Sequence, residues 1–516
     1  MKVVYVPQLV LCWLLGVWNI CFAQQADIIL TNGKIFTADT SCLYVQALAI
    51  SGNRILCTGS NAAIEKFATS KTRKIDLKGK TVVPGFNDQH DHAVFQHSPV
   101  RLQYATTLEQ EQNWEGLSKS AVIDSIVRLL PNARAGEWIA GMIGTRIFSD
   151  TSMRRTLDSL APNNPIALQV WWGHGIVTNQ KGLAAAGLID RDKDPVGSHY
   201  DRNSEGKISA IHINAQIPIW WSISAANQGA VIREMEKFGQ AQVQAGITST
   251  LFFGSSFSYP VITKLLQNAA IPQRLRIVPW IRSTPDGRQL AEWPTAETHP
   301  TAKSVVSGVK YVINHFGPLL YPPDTVKAII RESLATHRQL MLHISGDSAF
   351  ALVLRLIEAS GTANQWRPLR CRVEHNMIGS PSAAQRKVLK DYGILIMHTP
   401  KFNRGSVLRS LLADSLLVGI GPDGTDNPGQ DIMVITSQQD NPNENISREQ
   451  AVIAYTLTNA YAEFREKEKG MLKKGMLADL AVLSSDLFSV PAQQLAGIRS
   501  VLTIIDGKIV YQAIED

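Results

Sequence analysis

From Ala26 onward, short apolar runs alternate with turn-forming residues. Ile28-Ile29-Leu30 leads through Thr31-Asn32-Gly33-Lys34 to Ile35-Phe36-Thr37, and Ala47-Leu48-Ala49-Ile50 leads through Ser51-Gly52-Asn53 to Ile55-Leu56. Apolar runs of this length bounded by Gly and Asn predict short antiparallel strands. The far end of the chain has the same texture. Asp479 to Leu483 predicts one strand, and Val501 to Ile505, Asp506-Gly507 and Ile509-Val510-Tyr511 predict a hairpin, because Asp-Gly favours the left-handed turn a two-residue connection needs. Neither end has enough strands to be stable alone. Both ends are therefore expected to build one small β-sandwich module, residues 24–82 with 430–516.

Between them, apolar strands alternate with helical patterns such as Pro323 to Thr336, Ser348 to Ala359 and Ala383 to Asp391. Eight strands are predicted: Val82 to Phe86, Ile247 to Phe252, Leu275 to Ile281, Val309 to Ile313, Leu340 to Ile344, Cys371 to His375, Ile394 to His398 and Leu417 to Gly421. Eight such units closing on themselves form an α/β, TIM-type (β/α)8 barrel, expected over 83–429; a doubly wound open sheet is the alternative. An insertion at about 96–240 separates the first two strands. It carries Trp114, Trp138, Trp171, Trp172, Trp220 and Trp221, with helical stretches at Leu117 to Leu130 and Gly182 to Leu188. These tryptophans pack the insertion's own core or line a lid over the mouth where active sites of this architecture lie.

The 516 residues are 45% hydrophobic and 18% charged, an ordinary globular composition. The net charge of +7 is dispersed, with no basic run to track a phosphate backbone, so nucleic acid is not an expected partner. Lys2, the apolar stretch Val3 to Val17 and Cys21-Phe22-Ala23 predict a signal peptide over residues 1–23 and export to a periplasmic or extracellular space. An uncleaved anchor is the alternative; after signal removal no stretch is long enough for stable membrane insertion. Of five cysteines, Cys42, Cys57 and Cys371 lie beyond the signal and form no disulfide framework; a Cys42–Cys57 pair is left open.

The chemistry concentrates in Pro84-Gly85-Phe86-Asn87-Asp88-Gln89-His90-Asp91-His92. Alternate strand residues share a face, so His90 and His92 point together, roughly 6.5 Å apart, and can converge on one cation. Alone, a His-x-His is better explained by chance. However, Lys310 falls on strand four, His343 on strand five, Glu374-His375 at the end of strand six and Asp423 after strand eight. Jointly they place imidazoles, an amine and a carboxylate at one mouth. His97, His199, His212, His299 and His337 scatter elsewhere and read as surface or lid residues.

This ordered set resembles the amidohydrolase superfamily of metal-dependent hydrolases, in the group that includes N-substituted formamide deformylases. The resemblance rests on Val83 to His92, His174 with Asn179 and Lys181, Gly246-Ile247-Thr248-Ser249, Val309-Lys310, Leu342-His343 with Gly346-Asp347, Arg372-Val373-Glu374-His375, Gly421-Pro422-Asp423 and Gly475 to Leu480. It implies that His90, His92 and Asp423 hold one divalent ion, most simply Zn2+. It also implies that Lys310, N-carboxylated, bridges to a second ion on His343 and His375. Carboxylation would turn an ammonium that cannot bind a cation into an anionic oxygen donor; a salt bridge to a mouth carboxylate is the structural alternative for Lys310. His174 would polarise or grip the substrate, or pack behind the site. The chain departs from the family pattern at Asn314-His315-Phe316-Gly317, at Pro422 and at Asn214, all where substrate is gripped.

The expected function is hydrolysis of a non-peptide, amide-type carbon–nitrogen bond of a small molecule by metal-activated water, with Asp423 moving the proton. A degenerate, non-catalytic binding barrel and a metallohydrolase acting on esters are the alternatives. A homo-oligomer is left open.

Overall fold

The computed structural model describes residues 25–92, 100–102, 115–254, 257–280, 282–284, 287–289, 293–314, 317–401, 405–424 and 427–513. The expected signal peptide, His97, Trp114 and the His315-Phe316 departure lie outside them.

The two ends of the chain meet in one six-stranded sheet, in the order Lys508–Gln512, Ser500–Ile505, Leu480–Leu483, Thr81–Pro84, Lys34–Phe36, Tyr44–Val45. Thr81–Pro84 is the seam, antiparallel to Leu480–Leu483 and parallel to Lys34–Phe36. A four-stranded sheet contains Ile28–Thr31 and Ala47–Ser51, and residues from both sheets, including Leu30, Leu48, Val82, Leu480 and Ile504, share one apolar cluster.

Eight parallel strands follow, numbered here β1 Phe86–Asp91, β2 Ile247–Phe253, β3 Arg274–Val278, β4 Val309–Val312, β5 Leu340–Ser345, β6 Arg372–Met377, β7 Leu395–His398 and β8 Val418–Ile420. They form two arcs. β1, β2 and β3 belong to one sheet, and β4 through β8 to another. The arcs touch at both seams. The Lys310 N–H donates to Pro279 O at 2.9 Å, and the Asp423 N–H donates to His90 O at 2.7 Å. The expected closed barrel is thus not a continuous ladder among the described residues: at one seam β3 pairs in parallel with Ser304–Val306, just ahead of β4, and an isolated bridge joins Trp280 to Lys310, while the Asp423–His90 bond spans the other. Helices such as Pro323–Ala335, Asp347–Ser360 and Ala383–Tyr392 cover the outer face through one large apolar cluster.

The sequence placed the first barrel strand at Val82 to Phe86, and the structure divides that run at Gly85. Residues before it belong to the end sheet, and those after it to β1. The Gly85 N–H reaches Asp479 O while the next N–H, of Phe86, reaches Gly246 O. A Cβ at Gly85 would lie 2.2 Å from Thr248 Oγ1, so only glycine lets the chain change sheets here. At the other seam a Cβ at Gly421 would lie 2.3 Å from the Cβ of His90, so β8 approaches β1 backbone to side chain.

The insertion is more than helices. It builds a six-stranded sheet of its own, in the order Tyr200–Arg202, Ile208–His212, Gly175–Thr178, Ile166–Val170, Ile139–Ile143, Val100–Leu102. Trp138 and Trp220 are buried in its core, and Trp171, Trp172 and Trp221 pack against it partly covered.

Candidate metal centre

His90 is fully buried at the end of β1. Its Nδ1–H donates to Glu374 Oε2 at 2.5 Å. Arg372 holds that carboxylate through Nε to Oε1 at 2.8 Å and Nη2 to Oε2 at 3.0 Å, and also donates to Gln89 O. A carboxylate on one ring nitrogen fixes the tautomer and leaves the other, Nε2, with its lone pair toward the mouth. Lys310 Nζ lies 3.0 Å from that Nε2.

The other groups follow ring by ring. The centroid of His90 lies 5.3 Å from His92 and 4.3 Å from His375, and His375 lies 4.5 Å from His343. Asp423 Oδ1 is 3.6 Å from His92 Nε2, and Oδ2 is 3.9 Å from His375 Nδ1. The donor atoms of His90, His92 and Asp423 all lie within 4.8 Å of one another. His174 enters from the insertion, 5.6 Å from the Trp280 ring and 6.2 Å from His343. Every site residue read from the sequence therefore falls at one mouth. His375, Asn376 and Asp423 have φ of +69°, +57° and +59°, left-handed backbone at the strand ends that aim the side chains.

Two residues escaped the sequence reading. The Thr399 hydroxyl donates to Gly421 O at 2.7 Å and so accepts the His375 Nδ1–H at 3.0 Å, which leaves the ring's lone pair on Nε2. Lys401 donates to the Asp423 carbonyl. Asn314, at one of the departures from the family pattern, accepts the Ser345 N–H at 2.9 Å and donates to Ser345 O at 2.6 Å. An aspartate could not make the second bond, so the amide clamps β4 to β5 beside the site. A cavity of about 620 Å³ opens at these same strand ends, lined by Asn314, Ser345, Asp347 and Arg355 among others but by none of the seven candidate residues.

Burial, reinforced by Lys310, holds the His90 and His92 imidazoles well below their ordinary value; burial and then His90 do the same for His375. Burial lowers the Lys310 ammonium to about 8, partly opposed by Glu374 and Asp423. Burial raises the Asp423 carboxyl, opposed by Lys401 and Lys310. Neutral imidazoles with lone pairs turned inward, beside an anionic oxygen, are a nitrogen and oxygen donor set that fits a divalent transition cation. A bound dication would reverse the effect of burial on Asp423 and keep it ionised.

The profile of the amidohydrolase family matches residues 73–511. The chain is 26% identical over 550 residues to the protein LONG AFTER FAR-RED 3 of Arabidopsis thaliana, covering 94% of this chain and 92% of that one. It is 22% identical over 555 residues to the N-substituted formamide deformylase of Arthrobacter pascens, covering 95% and 99%. Its fold is similar to that of a metal-dependent hydrolase of Pyrococcus furiosus, with a TM-score of 0.63 at 18% identity over 90% of this chain and all of the other.

Proposed function

Because this chain belongs to the amidohydrolase family, we propose that it is a metal-dependent hydrolase cleaving a non-peptide carbon–nitrogen bond of a small, amide-type molecule. The reading rests on one observation: His90, His92, His343, His375, Lys310 and Asp423 converge on a single mouth. Likeness to a formamide deformylase supports the amide class. In this reading the two parallel arcs are the halves of a (β/α)8 barrel over 83–429, and the two end sheets form a β-sandwich. Residues 1–23 direct export.

His90, His92 and Asp423 would hold one divalent ion, most simply Zn2+, with N-carboxylated Lys310 bridging to a second on His343 and His375. Such an ion would lower the pKa of a bound water to about 7 and polarise the scissile carbonyl. The residues do the rest. Asp423 accepts the attacking water's proton on a carboxylate oxygen and returns it to the leaving nitrogen. Glu374 and Thr399 keep His90 and His375 in the ligating tautomer. Phe253 and Trp280 wall the amine of Lys310 from water. His174 grips the substrate carbonyl from the insertion side.

The test is metal analysis of purified protein followed by a panel of formamides, N-acyl amino acids, lactams and esters. Metal-dependent turnover in the amide arms, abolished by a chelator, is expected. Turnover of esters alone, or none by metal-replete protein, overturns the reading.

A further inference from the structure

The insertion carries a second set of donor groups, on histidines that the sequence predicts as surface or lid residues. Tyr200–Arg202 runs antiparallel to Ile208–His212 with Tyr200 opposite Ile211. That register sets His199 opposite His212, whose N–H donates to His199 O at 3.0 Å. Directly opposed residues share a sheet face, and Asp201, two residues beyond His199, falls on it too. The two imidazoles stack with centroids 3.8 Å apart and planes 18° from parallel. The Asp201 carboxylate spans them, Oδ2 at 2.7 Å from His212 Nε2 and Oδ1 at 3.7 Å from His199 Nε2. The donor atoms of all three lie within 4.8 Å of one another.

We propose that His199, Asp201 and His212 form a binding site for a divalent transition cation on the insertion hairpin, separate from the barrel mouth. Two imidazoles and a carboxylate are a set that Zn2+ takes with an open position for water. Two nitrogens about 2.1 Å from one tetrahedral ion lie roughly 3.4 Å apart, close to the spacing of this stack. The ring planes are nearly parallel, so binding requires a turn of the half-exposed His199 ring that brings its Nε2 lone pair to the same point. Burial and the neighbouring His212 hold His199 below its ordinary value, against Asp201 and Asp194, which favours a free lone pair at neutral pH. The Phe148 ring, 4.8 Å from His212, backs the inner ligand. The site also touches the mouth through the backbone. His212 pairs with Gly175, and the Ile213 N–H donates to His174 O at 3.0 Å, so a cation here would tie down the strand next to the candidate lid imidazole.

The simpler role for the cluster is an Asp–His hydrogen bond closing the hairpin, and the experiment separates the two. Full-length protein already loaded with Zn2+ at the barrel mouth is dialysed against graded Zn2+, and zinc per chain is counted by mass spectrometry. One further equivalent is expected in the wild type and in neither Asp201→Asn nor His199→Gln. Cu2+ added to the loaded protein should show hyperfine coupling to two nitrogens, falling to one in His199→Gln. His199 is half exposed, so that variant should melt like the wild type. Equal zinc content in wild type and His199→Gln overturns the proposal, whether both take the further ion or neither does.

Discussion

Two lysines are buried inside the parallel strands, at opposite ends. Lys469 lies where the strands begin, and its Nζ meets Glu463 Oε1 at 2.5 Å and the Ser249 hydroxyl. The Asn87 amide donates to the same Glu463 oxygen. Lys310 lies at the mouth. Its Nζ sits 3.8 Å from the Phe253 ring centroid, 5.4 Å from that of Trp280 and 3.0 Å from His90 Nε2. Among the described residues it has no carboxylate oxygen within salt-bridge distance. Burial lowers both amines, but only at Lys469 is the charge matched by a hydrogen-bonded carboxylate. A paired buried charge serves architecture, while an unmatched amine among aromatic rings is kept reactive.

The sharpest test of this difference removes each amine in turn. Lys310→Ala should lose bound metal and all measurable turnover, and short carboxylic acids should partly restore both by supplying a bridging oxygen. Lys469→Met leaves Glu463 buried without its partner, which costs about 3–5 kcal/mol of stability. Its turnover per folded molecule should be unchanged, and adding Glu463→Leu should recover stability. Metal content, melting temperature and kcat on one preparation decide the matter. If the two single variants fail in the same way, the distinction between a structural and a reactive lysine is wrong.

Asp423 extends the comparison to the mouth's carboxylate. Glu463 is held by Lys469 and Asn87, whereas Asp423 faces His92 and His375 at 3.6 and 3.9 Å, contacts too long to be full hydrogen bonds. Asparagine tolerates the left-handed backbone at this position and keeps one oxygen donor, but it cannot take and return a proton. Asp423→Asn should fold, retain much of its metal and lose about 10²–10⁴-fold in kcat. Early melting with normal turnover would make Asp423 structural.

The eight strand positions were legible because each is an apolar run between turn signals. The division at Gly85 was not, because the run continues apolar across it and the change of sheet depends on Asp479 and Gly246, far along the chain. The insertion's sheet was missed because the tryptophans dominated that stretch. Its strands, such as Ile166–Val170, are buried on both faces and lack alternation. The site's histidines could be read because each stands at a strand end. Their partners could not. Glu374 reaches His90 from across the strands, and Thr399 is 24 residues from the ring it orients. The facing of His199 and His212 likewise needs the cross-strand register, which their spacing does not reveal.

Thr399 offers a gentler probe, since it reaches the site through hydrogen bonds to the His375 ring and the Gly421 carbonyl rather than as a ligand. Thr399→Val removes the acceptor for the His375 Nδ1–H without changing side-chain shape, and should weaken metal affinity about 10–100-fold. Thr399→Ser should restore it. A competitive chelator titration measures the affinity and thermal melting controls for packing. Wild-type affinity in Thr399→Val would mean that the ring is held by its neighbours alone.

The smallest expected effect is also the one that reads the Lys310 amine directly. Carboxylation requires the neutral amine, and burial brings Lys310 to about 8 from an ordinary 10.5. The folded chain therefore gives up this proton earlier than the unfolded chain, so the residue's contribution to stability rises with pH between about 8 and 10.5. Metal-free protein should accordingly regain activity with Zn2+ at a rate that follows the neutral fraction, about fivefold slower at pH 7 than at pH 8 and levelling above it, at fixed dissolved CO2. The neighbouring imidazoles do not blur this window: His90, His92 and His375 are held well below 6.5 and stay neutral throughout. Lys469 does not blur it either, because its charge remains matched by Glu463. An unperturbed amine would give a rate climbing about tenfold per pH unit with no levelling below 10. That profile would show that the rings around Lys310 leave its proton where water would, and the contrast with Lys469 would lose its chemical meaning.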